Sequence, residues 1–260
     1  MSHELLHIYG PFAIQWYGVM ILLGLLAFIW RASKHPLRKK YLTETQFVNL
    51  VTYSIIAGIV GGRLLSVLGS WRQYDQVADI FKIWEGGFSI LGTIIAVALF
   101  ASWYLWRHHI PVMPVLDLAG LYAPLTQAIS RIGCFFAGCC HGIVTTVAWA
   151  VPCDNPATQE LLGVLVHPTQ LYSSAALFLI FLIIRFLIYP HAKKQGQLFA
   201  SYLILAGLER FVLDFWRGDR TVSGYNYISA YQALALFLVC AGIGLLIYCT
   251  FVKPKNYEHI

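Results

Sequence analysis

The 260-residue chain is 58% hydrophobic and only 12% charged, against about 25% charged residues in a soluble globular chain. That excludes a soluble single-core domain. The net charge of +6 would suit nucleic acid in a soluble protein. Here the basic residues fall mostly in short loops between apolar runs, so they read as membrane topology and contact with anionic lipid, with no nucleic-acid partner.

The apolar runs are about 20 residues long, not the roughly 10-residue alternation of a barrel strand. The fold class predicted is therefore an all-α polytopic membrane protein, a single domain over residues 1–260. Seven transmembrane helices are expected, over about 13–31, 47–67, 87–106, 113–134, 169–189, 197–214 and 229–252. No cleavable signal peptide is expected: His3 and Glu4 replace a basic start, and the first run is long enough to stay in the membrane. Arg31, Lys34, Arg38, Lys39, Lys40, Arg107, Lys193, Lys194, Lys253 and Lys255 mark one side as cytoplasmic. The N-terminus then faces outward and the C-terminus inward. Residues 135–168, with the turn-rich Pro152-Cys153-Asp154-Asn155-Pro156, form a small outward (periplasmic) cap.

Five arginines break the charge rule. Arg63, Arg131, Arg210, Arg217 and Arg220 lie at or near outward helix ends. Each alone can snorkel to the headgroups. Together, on one leaflet, they fit a phosphate-bearing headgroup, because guanidinium binds phosphate bidentately.

Polar motifs recur at these ends. Trp16-Tyr17-Gly18 is either an interfacial aromatic belt or a Tyr hydroxyl aimed at a site. Gly61-Gly62-Arg63 indicates close helix packing beside a placed cation. Glu85 to Thr93 opens the third helix with small residues, and Ser89 caps or hydrogen-bonds there. In His167-Pro168-Thr169-Gln170-Leu171-Tyr172, Thr169 is a plausible cap, while Gln170 and Tyr172 are polar beyond structural need. Arg210 and Asp214 share a helix face, as do Asp214 and Arg217.

The densest stretch runs from Arg131 to Gly142, with three thiols, an imidazole and three glycines. Cys134, Cys139, Cys140 and His141 admit a metal site, although the spacing matches no standard zinc pattern. They equally admit a disulfide, with Cys153 as a possible partner, or small polarizable packing residues. No metal and no cofactor is assigned on the sequence.

Trp16-Tyr17-Gly18, Gly62-Arg63, Gly87-Phe88-Ser89, Arg131-Ile132-Gly133 with Phe135 and Gly138, His167-Pro168 with Gln170-Leu171-Tyr172, and Arg210-Phe211 with Asp214 and Arg217 occur in order along the whole chain. In these motifs the chain resembles the bacterial prolipoprotein diacylglyceryl transferase family. The resemblance implies an inner-membrane enzyme that moves diacylglyceryl from phosphatidylglycerol to the lipobox cysteine thiol of a prolipoprotein. Its partners would be phosphatidylglycerol or a related anionic phospholipid, the prolipoprotein and the surrounding lipids. It implies catalytic roles for Arg131 and Arg210. Tyr17, Arg63, Ser89, Gly133, Gly138, Gln170, Tyr172, Asp214 and Arg217 are then expected to bind substrate.

The chain departs from the family pattern at three positions. Leu91 stands where the family has a histidine, Cys134 where it has an asparagine, and Cys139 where it has an acid. These changes point to a divergent paralogue that keeps the lipid site, with His141 or His167 as the base. Two other readings follow from the same departures: a paralogue with another acceptor, or a non-catalytic lipid-binding or thiol/metal-sensing membrane protein.

Overall fold

A computed structural model of the chain describes residues 4–9, 12–71, 87–153, 161–220, 228–252 and 257. Glu85, Gly86, Asp154, Asn155, Pro156, Lys253 and Lys255 lie outside them. The long helices are α1 (Trp16–Lys34), α3 (Glu44–Gly69), α4 (Ile90–Arg107), α5 (Val112–Phe136), α6 (Thr169–Leu182), α7 (Gln197–Leu213) and α8 (Ala230–Ile247). Each overlaps one predicted window. Among the described residues, six helices are long and apolar enough to cross a membrane, with α6 extended to His191 and α8 to Phe251. The helix α7 has 17 residues and is not one of the six.

Two features were not predicted. The basic first connection contains a short helix, α2 (Pro36–Tyr41). Pro36 sits in its first turn, where the missing N–H is no loss, and His35 Nδ1 accepts from Leu37 N at 3.3 Å. Before α1, β1 (Glu4–Tyr9) and β2 (Phe12–Gln15) form a two-stranded sheet.

Helix starts follow local chemistry. Thr43 and Gln46 form a reciprocal capping box on α3, and Ser229 and Gln232 form one on α8. Ser89 caps α4 by accepting from Gly92 N. The cap expected of Thr169 is absent: Pro168 occupies the cap position of α6, and the Thr169 hydroxyl donates to Cys140 O at 2.9 Å.

The described residues divide into two contact units. One holds α2, α3 and α4. There α3 and α4 meet through Gly61, Gly62 and Gly92, where added side-chain carbons would collide with the opposing helix, and through Gly58, where one would fit only tightly. Arg63, 8% exposed, donates from Nη1 to Gly87 O at 3.2 Å.

The other unit holds α1 and α5 to α8. A Cβ at Gly133 of α5 would lie 2.9 Å from Met20 Cβ of α1. Gly207 and Gly242 bring α7 and α8 together in the same way. The start of α7 is pinned by Asp117 of α5, which is fully buried. Its carboxylate accepts from Gly196 N at 2.5 Å, from Phe199 N at 2.9 Å and from the Tyr257 hydroxyl. An acid from one helix thus satisfies orphan donors at the positive N-terminus of another.

Replacing Asp117 with Ala leaves buried backbone donors unpaired, each costing about 1–3 kcal/mol. Asp117→Ala is expected to lower the thermal unfolding midpoint of the detergent-purified protein strongly, with Asp117→Asn intermediate. Differential scanning fluorimetry measures both.

Candidate functional site

The second of these units carries a small pocket, partly open to its surroundings. It is lined by Arg131, Cys140, Thr169, Gln170, Ser173, Glu209, Arg210, Leu213 and Arg217. These come from the end of α5, the turn after it, the start of α6 and the end of α7. Three guanidiniums face one carboxylate among the lining residues. The positive end of α6 adds to the anion-binding character.

The segment after α5 folds back on these helix ends. Its β3 (Val151–Pro152) pairs with β4 (Leu165–Val166), and Gly142 bridges to Arg217. Gly142 N donates to His167 O, Ile143 N to Trp216 O and Gly218 N to His141 O. A Cβ at Gly142 would meet His167 Cβ at 2.6 Å and Trp216 O at 2.8 Å. The turn leading into it is left-handed at Gly138 (φ +65°) and at Cys140 (φ +61°). The second of these is unusual for a residue with a side chain. Two side chains of α6 clamp it: Thr169 Oγ1 donates to Cys140 O, and Gln170 Nε2 donates to Cys139 O at 2.8 Å.

Each arginine is differently engaged. Arg217 is held in a two-pronged pair by Asp219, Nε to Oδ1 at 2.8 Å and Nη2 to Oδ2 at 2.6 Å. Burial opposes the Asp219 charge, but Arg217 outweighs it and holds the carboxyl below its ordinary range. This pair therefore persists above that lowered value and opens only as acidification passes it. Arg210 lies 3.6 Å from Asp214 Oδ1 and stacks over Tyr231 at 4.8 Å. Arg131, half-buried, has no ion-pair or hydrogen-bond partner among the described residues. A second unspent group is Gln170 Oε1, buried without a hydrogen-bond partner among the described residues. Arg131 and the unsatisfied Gln170 acceptor share a cavity wall with the Glu209 carboxylate, whose charge interacts with Arg131.

The thiols of Cys134, Cys139 and Cys140 converge beside this wall, all within 4.8 Å of one another. Cys134, Cys139 and Cys140 are free thiols. The Cys140 thiol is pulled down by hydrogen bonds from Cys134 and Cys139 and by Arg217 beside it. Hydrogen bonding to Cys134 and Cys140 pushes the Cys139 thiol up.

Residues 3–248 match the family described as prolipoprotein diacylglyceryl transferase. The chain belongs to that family. It is 34% identical over 245 residues to the phosphatidylglycerol–prolipoprotein diacylglyceryl transferase of Clostridium tetani, covering 94% of this chain and 96% of that one. The protein of the same name from Thermotoga maritima is 32% identical, with 95% and 85% covered. For Lactobacillus johnsonii the figures are 32%, 95% and 91%. With six apolar helices of membrane-crossing length, this family member is a multi-pass membrane protein.

Of the residues expected from the sequence, Arg131, Gln170, Arg210 and Arg217 line the cavity. Gly138 shapes the adjoining turn. Gly133 packs α5 on Tyr17 and Met20 of α1. Arg63 and Ser89 belong to the unit of α3 and α4, where Leu91 is 61% exposed on α4. His141 and His167 are not among the lining residues: His141 Nδ1 lies 3.0 Å from Gly142 O, and His167 Nδ1 lies 3.2 Å from the Tyr172 hydroxyl. That hydroxyl also accepts from Trp149 Nε1 at 2.6 Å. The expected pairing of Asp214 with Arg217 is replaced. A short 3₁₀ turn at Asp214–Trp216 ends α7, so Asp214 pairs with Arg210 and Arg220, both at 3.6 Å, and accepts from Ser229 Oγ at 2.5 Å.

Sequence reading missed Glu209 and Ser173, which meet across α6 and α7 at 2.5 Å. Each is four residues or fewer from a motif residue, and only the helix geometry shows that they face the cavity.

Asp214 is fully buried while its arginine partners are about a quarter exposed. Asp214→Ala should therefore destabilise by less than the about 3–5 kcal/mol of a wholly buried pair. It should also loosen Arg210 and weaken binding of anionic phospholipid. Thermal unfolding and phosphatidylglycerol binding, measured on one preparation, test the two effects together.

Proposed function

We propose that this chain transfers diacylglyceryl from phosphatidylglycerol to the lipobox cysteine thiol of a prolipoprotein and releases glycerol phosphate. The observation that carries this reading is Arg131, which has no ion-pair or hydrogen-bond partner among the described residues and shares a cavity wall with Arg210 and Arg217. A breaking phosphate ester develops negative charge on oxygen, and fixed guanidiniums in a dry site stabilise it without reorganising. Arg131 and Arg210 hold the phosphate in this reading. Arg217, fixed by Asp219, supports them, and Asp214 orients Arg210. Gln170 Oε1 accepts a hydroxyl of the headgroup glycerol. Acyl chains lie along apolar helix faces in this reading. Glu209 limits the positive charge and keeps Ser173 in place.

In the membrane, α7 serves as a seventh span. At 17 residues it is roughly 26 Å long, slightly less than the about 30 Å hydrocarbon core. Glu209 and Arg210 in its last turns then sit at headgroup depth. The N-terminus faces outward, the C-terminus faces the cytoplasm, and residues 135–168 cap the outer face of one seven-helix domain in a bacterial inner membrane. His141 and His167 flank the site. With each Nδ1 beside a hydrogen-bond partner, a base role would fall to Nε2.

Arg131→Ala is expected to reduce glyceride transfer from labelled phosphatidylglycerol to a lipobox peptide by about 10²–10³-fold or more, without reducing membrane insertion. An Arg131→Ala protein that inserts and transfers at the parental rate would overturn the assignment.

A further inference from the structure

Phosphate binding leaves the three cysteines unused. Their sulfurs lie within 4.8 Å of one another. Ligands about 2.3 Å from a tetrahedral zinc ion stand roughly 3.8 Å apart, so shifts of about 1 Å close this set around one ion. The arrangement is built into the fold. Cys134 comes from the last turns of α5 and is buried. Cys139 and Cys140 are turned back onto it by the left-handed residues Gly138 and Cys140. The clamps from Thr169 and Gln170 hold that turn.

Among the described residues, the group contains three cysteines and no histidine or carboxylate. Cys140 also lines the arginine cavity. Structural zinc sites close with four protein ligands. Catalytic ones have three and leave one position for water or substrate.

We infer that Cys134, Cys139 and Cys140 hold a zinc ion as thiolates, and that its open position binds the acceptor thiol. This rests on the transfer reaction proposed above. Thiolate ligands favour zinc among the common divalent ions. Three thiolates and Zn²⁺ carry one net negative charge, and a fourth thiolate adds another. The arginine cluster beside Cys140 compensates that charge.

The step balances without oxidant or reductant. On coordination the acceptor thiol releases its proton to water and stays bound as thiolate. Its sulfur lone pair attacks the glyceride carbon that bears the phosphate ester. The carbon–oxygen bond breaks, and its electron pair goes to the phosphate oxygen. Glycerol phosphate departs against Arg131 and Arg210. The product thioether is neutral, a weaker ligand than thiolate, and leaves the metal. No histidine base is required.

The test uses the full chain, purified in detergent under anaerobic reducing conditions, with Zn²⁺ and then Co²⁺ as probes. The expected result is one zinc per chain by elemental analysis. Cys134→Ser and Cys140→Ser should each weaken zinc binding by about 100-fold or more. The cobalt form should show thiolate-to-metal charge transfer and tetrahedral d–d bands. Adding a lipobox peptide should shift those bands, while the same peptide with serine for cysteine should not. Lack of stoichiometric zinc and cobalt, or cobalt bands indifferent to the cysteine peptide, would overturn the inference. A chelated, metal-free protein that still transfers glyceride with dependence on Arg131 would also overturn it and leave the transferase reading intact. Zinc and a peptide-responsive cobalt spectrum without glyceride transfer would uphold the metal site and remove the transferase reading.

Discussion

Like charge forced together is the constraint on which this site depends. At an effective dielectric near 20, two unit charges about 4 Å apart interact by about 4 kcal/mol. Arg131, Arg210 and Arg217 line one small cavity, so their repulsion must be offset. The fold supplies one carboxylate for each of two arginines, Asp214 for Arg210 and Asp219 for Arg217. Glu209 adds a third acid on the cavity wall. Because Asp214 also pairs with Arg220, four arginines share three acids, and that imbalance leaves Arg131 with no ion-pair or hydrogen-bond partner among the described residues.

The scaffold exists to hold that imbalance still. Asp117 fastens the first turn of α7 to α5, so the two helices that carry Arg131 and Arg210 share one anchor at the end far from the cavity. At the near end the turn after α5 is laced to the end of α7 through Gly142, His167 and Trp216. The same lacing brings Cys140 against Arg217. Glycines at the helix crossings shorten the distance between axes, as expected where lipid gives no hydrophobic drive for helix association. Side chains therefore reach the cavity from fixed backbones, with little freedom left to separate the arginines.

The helices were legible because apolar runs of this length have few alternatives: every predicted window meets a helix, and six of these are long and apolar enough to cross a membrane. The arginines were legible because charge at membrane depth needs a reason. What the sequence hid was pairing. Asp214 and Arg217 are three apart and share a face in a continuous helix, but the 3₁₀ turn after Leu213 rotates Arg217 toward Asp219. Thr169 fits a cap by type, yet its hydroxyl serves Cys140 O, a partner 29 residues away. Asp117 is one acid in an apolar run, and its three donors come from beyond residue 195. Glu209 passed as the neighbour of a motif arginine. Side-chain partners far apart in sequence are set by tertiary approach, which local periodicity does not encode.

The cysteine turn has the same logic as the arginine wall. The transfer needs two anionic oxygens or sulfurs stabilised in one place: a thiolate going in and a phosphate coming out. A lone basic cavity would stabilise both but would give the thiol proton nowhere to go. A lone imidazole would accept the proton but would then add a fourth cation beside three others. Three thiols set against those guanidiniums would, once ionised, supply negative charge where the arginines are in excess. Cys140 belongs to both groups, lining the cavity and standing among the sulfurs. The two groups therefore meet at one side chain, on a turn that is left-handed at a non-glycine residue.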